Sequence, residues 1–151
     1  MQLTSNAFSD GGTIPKEHTA DGKNHSPELH WTGPPPETKS FALICDDPDA
    51  PHGTWVHWVL FNLLPETHEL SHALPAGRTL TSGAKQGTND FHKIGYGGPS
   101  PPPGKPHRYF FKLYALDAML VLADGATKQQ LEAAMKGHIL AESHLMGKYG
   151  R

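Results

Sequence analysis

One cysteine, Cys45, is all that the chain contains, so no disulfide framework can form within it. Its setting, Phe41-Ala42-Leu43-Ile44-Cys45, reads as that of a small buried hydrophobe. No stretch of about 18 apolar residues occurs anywhere, which excludes a spanning helix. The first residues, Met1-Gln2-Leu3-Thr4-Ser5, lack the charged and apolar segments of a secretory signal, so a cytoplasmic location is expected. Lys and Arg never gather into a patch, and 13 basic against 15 acidic residues give a formal charge of −2. That balance leaves no electrostatic footprint for a phosphate backbone, and nucleic acid is not an expected partner. Internal repeats are also missing.

What the chain has in quantity is Gly (16) and Pro (14), with only 36% hydrophobic residues over 151 positions. This length suits one domain, residues 1–151, and the turn-rich composition favours short strands over a helix bundle. Strands are predicted at Leu29 to Thr32, Phe41 to Cys45, Trp55 to Leu63 and His107 to Leu116, each aromatic or β-branched and bounded by Gly, Pro or Asp. Thr127-Lys128-Gln129-Gln130 has the capping-box spacing, and Leu131, Ala134, Met135 and His138 follow on one helical face, so one short helix starts there. Beyond Gly137, Ile139 to Met146 is read as a closing strand, although its periodicity also admits a helix.

Three segments place polar groups at strand ends: Asp46-Asp47-Pro48-Asp49-Ala50-Pro51, Trp55-Val56-His57-Trp58, and the Gly/Pro run Gly97 to Gly104 that leads into His107-Arg108-Tyr109. Strand alternation puts His107 and Tyr109 on one face and Arg108 on the other. The same rule groups Trp55, His57, Val59 and Phe61, leaving His57 in apolar company where it needs a partner. Asp47 or Asp49 would fix its tautomer and favour its charged form. In the Gly/Pro run only Gly97, Gly98, Ser100 and Gly104 can donate a backbone N–H, few enough to suit a small oxyanion. These residues fit either an anion pocket or a set of Asp-Pro turns, a Gly/Pro connection and core histidines.

Taken together, Asp47-Pro48-Asp49-Ala50-Pro51 followed by Trp55-x-His57, and the Gly-Pro loop ending His107-Arg108-Tyr109, resemble the two signature regions of the phosphatidylethanolamine-binding protein family. Leu29-x-Trp31 and Gly87-x-Asn89-Asp90-Phe91 are similar to features of its bacterial and archaeal, Raf-kinase-inhibitor-like branch. The resemblance implies a mostly β fold, an antiparallel β-sandwich with Greek-key connections and one or two short helices. It also implies a pocket for phosphate-like groups. By position, Asp47, His57, Gly98, Pro99, His107 and Tyr109 would be ligand-binding, with Pro51 and Trp55 as apolar wall. The implied occupant is a phosphate-bearing small molecule or lipid head group, with no cofactor and no metal. A protease or kinase bound by protein contact is the alternative partner, and a homodimer is compatible with the branch. With the sequence running to Arg151, the C-terminal helix that borders the pocket in animal members is expected to be missing; only His52-Gly53-Thr54 links the Asp-Pro turn to Trp55, a short connection that is expected to leave the mouth more open.

Two enzymatic readings compete with binding. His57 and Asp47 could form two-thirds of a triad, but Ser100 is the only nearby nucleophile and lacks a G-x-S-x-G elbow, so no catalytic residue is assigned. His68-Glu69-Leu70-Ser71-His72 matches the zinc-protease pattern H-E-x-x-H. Pro65 and Pro75 leave room there for about two helical turns at most, and no third ligand is evident, so an exposed loop or short turn is expected instead.

Overall fold

The computed structural model describes every residue, Met1–Arg151. Eight strands form in chain order: β1 (Gln2–Thr4), β2 (Leu29–Thr32), β3 (Ser40–Asp47), β4 (Trp55–Leu63), β5 (Glu69–Leu70), β6 (Lys85–Gln86), β7 (His107–Leu116) and β8 (Ile139–Tyr149). One helix, α1 (Lys128–Met135), and a 3-10 turn at Lys16–His18 complete the elements. All strand pairs within the two sheets are antiparallel. The smaller sheet is ordered β1-β2-β5 and the larger β6-β4-β3-β7-β8. Within the larger sheet β7 returns beside β3, so β7-β3-β4-β6 has the spatial order of a Greek key, with the link from β4 to β6 detouring through β5. The chain is thus a mostly β sandwich, as expected.

The inner faces of the two sheets meet over a core that includes Leu3, Leu29 and Trp31 from one side and Phe41, Leu43, Trp58, Leu60, Phe111 and Leu113 from the other. A second core lies on the opposite face of the large sheet, where Leu131 and Met135 of α1 cover Ile44, Val59 and Phe61. The predicted cap is present. Thr127 accepts from the Gln130 backbone at 3.2 Å, and the Gln130 side chain accepts from the Thr127 N–H at 3.0 Å. Docking of α1 is reinforced by Lys128, whose ammonium lies 2.8 Å from the buried Asp46 carboxylate, a group also paired with Lys112. Gly137, at φ 83, supplies the left-handed residue that stops the helix before β8.

Alternation along β4 is broken twice, and the first break positions the site. Opposite β3, Cys45 pairs with Trp58 and Asp46 with Val56, leaving His57 as the extra residue of a β-bulge. Val56 therefore joins Val59 and Phe61 in the helix-side core, while His57 and Trp58 both turn toward the sandwich interior. The expected grouping of Trp55, His57, Val59 and Phe61 on one face is corrected accordingly. The second break, between Phe41 and Leu43, falls opposite Asn62, which adopts φ 58 and brackets Leu120 with both ends of its amide.

His68 and Glu69 are exposed, with Glu69 in β5, so the H-E-x-x-H residues do not lie on a helix and lack the one-turn spacing that places two imidazoles on a zinc ion. No helix is long and apolar enough to cross a membrane.

Candidate functional site

The C-terminal end of β3, the start of β4 and the start of β7 converge at one end of the large sheet. Asp47 closes β3 by an Asx-turn, accepting the Asp49 N–H at 2.8 Å with one carboxylate oxygen. Its other oxygen lies 2.7 Å from Nδ1 of His107. Both residues are buried, which makes this a largely desolvated carboxylate–imidazole pair. Asp47 is therefore the partner of His107, and the expectation that Asp47 or Asp49 holds His57 is corrected. Asp49 instead clamps Arg108 through a bidentate pair at 2.9 Å on each arm and accepts the Arg108 backbone N–H at 3.0 Å. The guanidinium holds the Asp49 carboxyl below its ordinary range. Arg108 thus faces away from His107 and Tyr109, as strand alternation predicts.

His57 finds its partner in the backbone. Its Nδ1 lies 2.5 Å from the Gly97 carbonyl, while the Gly97 N–H donates to the His57 carbonyl at 2.9 Å. The ring is edge-on to Phe91 (5.4 Å) and Tyr109 (5.1 Å). Burial among these rings depresses its protonation, against the opposing pull of the Gly97 carbonyl and the more distant Asp47, Asp46 and Asp90 carboxylates. The imidazole is thereby held neutral, the reverse of the charged form expected. Tyr109 keeps its phenolic proton, since burial first and the Asp47 charge second push its ionisation far up.

This depression has a consequence for stability. The unfolded chain binds a proton on His57 near about pH 6.5, which the folded chain takes up only at lower pH. Stability is therefore expected to fall as the pH drops below about 6.5, until the buried ring itself titrates. Thermal melts of wild type and His57→Asn between about pH 8 and 5 check this, because the asparagine amide can keep the Gly97 bond but cannot titrate. The melting temperature of the wild type should decline more steeply; parallel declines would remove His57 as a source.

The Gly/Pro loop is anchored along its length. Tyr96 donates to the His18 carbonyl at 2.6 Å, and the Gly98 N–H donates to Asn24 at 2.8 Å. A β-carbon on Gly98 would meet the His18 carbonyl at 2.5 Å, so only glycine allows this approach. The Pro99 carbonyl accepts from Ala20 at 2.9 Å. Arg151 straps the outer part, donating to the Pro101 carbonyl at 3.1 Å and to Ser100 Oγ at 3.3 Å while pairing with Asp21 at 2.6 Å. Of the four loop amides, Gly97, Gly98 and Gly104 are consumed within the protein, and Ser100 is the one without a partner.

Between these elements lies a cavity of about 200 Å³. His57, His107, Tyr109 and Asp47 supply its polar groups, and Trp55 and Pro51 form part of its wall. Phe91, Ser100, Pro101 and Pro102 complete the opposite side, with Ala50 and His52 at the turn. Six of the eight residues singled out in the sequence thus line one cavity. Gly98 and Pro99 are buried outside the lining, where they hold the loop to residues 18–24. Phe91 is a wall residue that strand patterns could not reveal, because it lies between strands. It is T-shaped to Trp55 at 5.5 Å, held there by Asp90, whose carboxylate takes the Val56 N–H at 2.7 Å. Both histidines spend Nδ1 on the protein. Nε2 of each ring and the Tyr109 hydroxyl have no protein partner. These are the atoms left for a ligand.

The sequence and the fold were compared with known proteins. The family model described as phosphatidylethanolamine-binding protein matches residues 4–150. A UPF0098 protein of Methanothermobacter thermautotrophicus is 52% identical over 151 residues, covering 100% of this chain and 99% of the relative. Another from Aquifex aeolicus is 48% identical over 153 residues, covering 100% and 89%. Among solved structures, a phosphatidylethanolamine-binding protein homologue from Chlamydia trachomatis superposes with a TM-score of 0.90 at 43% identity, covering 99% of this chain and 97% of its own. Escherichia coli YbcL, described as a member of the mammalian family, superposes at 0.91 with 34% identity, covering 99% and 98%. A family match over nearly the whole chain, relatives near half identity and the same sandwich in solved structures agree: the chain belongs to the phosphatidylethanolamine-binding protein family.

Proposed function

We propose that the cavity binds a small phosphate-bearing molecule or head group, held by His57, His107, Tyr109 and the Ser100 amide. The observation that carries this reading is the set of side-chain atoms left unpartnered at one cavity: two imidazole Nε2 atoms and a phenol. All three atoms stay accessible from the cavity, where a ligand or water can complete them. The Asp47 carboxylate fixes the orientation of the His107 ring and leaves its Nε2 toward the cavity. The apolar wall of Trp55, Phe91 and Pro101 suits the carbon portion of an ester next to its phosphate. At about 200 Å³, the cavity has room for a head group and not for acyl chains, which would have to lie outside it.

Isothermal titration of inorganic phosphate and phosphoethanolamine into the protein at about pH 6.5 tests the reading. Saturable one-to-one binding in which each ligand displaces the other is expected. Absence of heat at millimolar ligand would overturn it and favour a protein contact made by the same loops, of the kind an inhibitor of a protease or kinase would use.

A further inference from the structure

We propose that the free margin of β8 is a docking edge for an extended segment of a partner protein. The segment adds as an antiparallel strand and carries a basic residue opposite Glu142 and an acidic one opposite His144. This contact is independent of the cavity.

β8 closes the large sheet and pairs there only with β7, so its far side is an edge. The chain itself covers the C-terminal half of that edge. Gly11 donates to the Met146 carbonyl at 2.7 Å, and Met146 donates to the Asp10 carboxylate at 2.9 Å. Lys148 donates to the Gly12 carbonyl and accepts from the Ile14 N–H, both at 2.8 Å. Met146 and Lys148 therefore turn their backbone groups away from β7. Antiparallel strands alternate in this respect, so Glu142 and His144 present their N–H and C=O groups outward as well. Nothing in the protein meets them, and both residues are exposed. The opening begins at Leu140, the extra residue of a bulge opposite Ala115 and Leu116. Ser143 Oγ accepts the Leu3 N–H at 3.1 Å, which ties this stretch of β8 to β1. An ordered strand with unpaired backbone groups is a template for a further strand.

The side chains beside the opening select the occupant. Glu142 enters none of the protein's ion pairs. It lies directly across from Tyr114, whose ionisation is pushed up to about 12 by burial first and by the Glu142 charge next. A basic residue opposite Glu142 thus meets an uncompensated carboxylate. His144 lies 5.9 Å from the Phe110 ring and borders a hollow of about 420 Å³ over Phe110, Lys112 and Tyr114. An acidic residue opposite it can accept from the imidazole N–H. A second copy of this chain does not supply that pattern. Two-fold pairing of β8 with itself must match outward-facing residues, and each register meets an obstacle. Centred on Glu142, it sets the two copies' carboxylates directly against each other. Centred on Ser143, it aligns Glu142 with His144 but drives Leu140 onto Met146, whose groups Asp10 and Gly11 already hold. Centred on Ala141, it sets Leu140 against Glu142 and leaves His144 beyond the start of the other β8. The edge is guarded against its own copy and open to a foreign strand.

NMR titration of the whole protein with synthetic peptides tests this. The peptide acetyl-TEVKVIT-amide sets its Lys opposite Glu142 and its Glu opposite His144, and acetyl-TKVEVIT-amide has the two charges exchanged. The first is expected to bind with a Kd of about 1 mM or tighter and to shift the backbone amides of Glu142 and His144. The second should bind at least about threefold more weakly. In Glu142→Lys, a substitution on the exposed face, acetyl-TEVEVIT-amide should displace acetyl-TEVKVIT-amide as the preferred ligand. Unshifted amides at Glu142 and His144 with about 5 mM peptide, or equal binding of the two charge arrangements, would overturn the proposal. A dimer of the protein alone that protects these same amides from hydrogen exchange would also overturn it, because the occupant would then be a second copy.

Discussion

His107→Ala is expected to weaken phosphate binding by about a hundredfold to a thousandfold. Two losses combine. The charge-assisted bond from Nε2 to the ligand is worth about 1.5–3 kcal/mol. Removal of the ring also leaves the buried Asp47 carboxylate facing the anion without its partner at 2.7 Å. Two like charges about 7 Å apart, on opposite sides of where the ring stood, repel by about 2 kcal/mol at an effective dielectric near 20. Water entering the space left by the ring screens part of this repulsion, so the net loss is smaller than the sum. Calorimetry on the folded variant, with its melting temperature measured alongside, provides the check. Binding within about threefold of wild type would take His107 out of the site.

Trp58→Ala should produce the largest loss of stability among single substitutions near the site. The indole is completely buried, stacks edge-on with Tyr96 at 5.4 Å, and donates to Gln86 at 2.8 Å. Gln86 in turn donates to the Pro75 and Gly77 carbonyls at 2.7 and 2.9 Å, so the indole sits at the head of a network that ties the 75–77 segment to the sheet. Truncation of a buried tryptophan costs about 3–5 kcal/mol. For a chain of this size that corresponds to a melting temperature lower by roughly 6–20 °C. Trp58→Phe, which keeps a ring in the core and loses the Gln86 bond, should fall in between. A shift of under about 2 °C for the alanine variant would show that the core closes over the gap.

Some of this architecture is local and could be read from residue order. The strand at His107 to Leu116 forms as patterned, with Tyr109, Phe111 and Leu113 buried on one side. Thr127 and Gln130 form their box, because a capping box needs only residues three apart. The segment Ile139 to Met146, locally ambiguous between helix and strand, is a strand that continues to Tyr149. The long edge of β7 pairs with it along its whole length, and tertiary pairing overrides a weak local preference. β1, β5 and β6, two or three residues each, carry too little pattern to be seen without the sheets they complete.

The site divides along the same line. Which residue types would meet was legible: two histidines, a tyrosine, an aspartate and an aromatic wall, in two signature segments that also carried the family. Which histidine the aspartate would hold was not. That choice rests on one extra residue in β4. The bulge turns His57 inward beside Trp58, toward the Gly97 carbonyl and away from Asp47, while regular alternation in β7 brings His107 onto the carboxylate. A bulge leaves no local signature here, because it is a property of how two strands register against each other. By itself the sequence determined the strand-forming segments, the caps and the inventory of polar groups, since these follow from side-chain pattern and short-range hydrogen bonding. The tertiary structure alone decided which histidine meets a carboxylate and which a carbonyl, because those contacts join residues 40 and 60 positions apart.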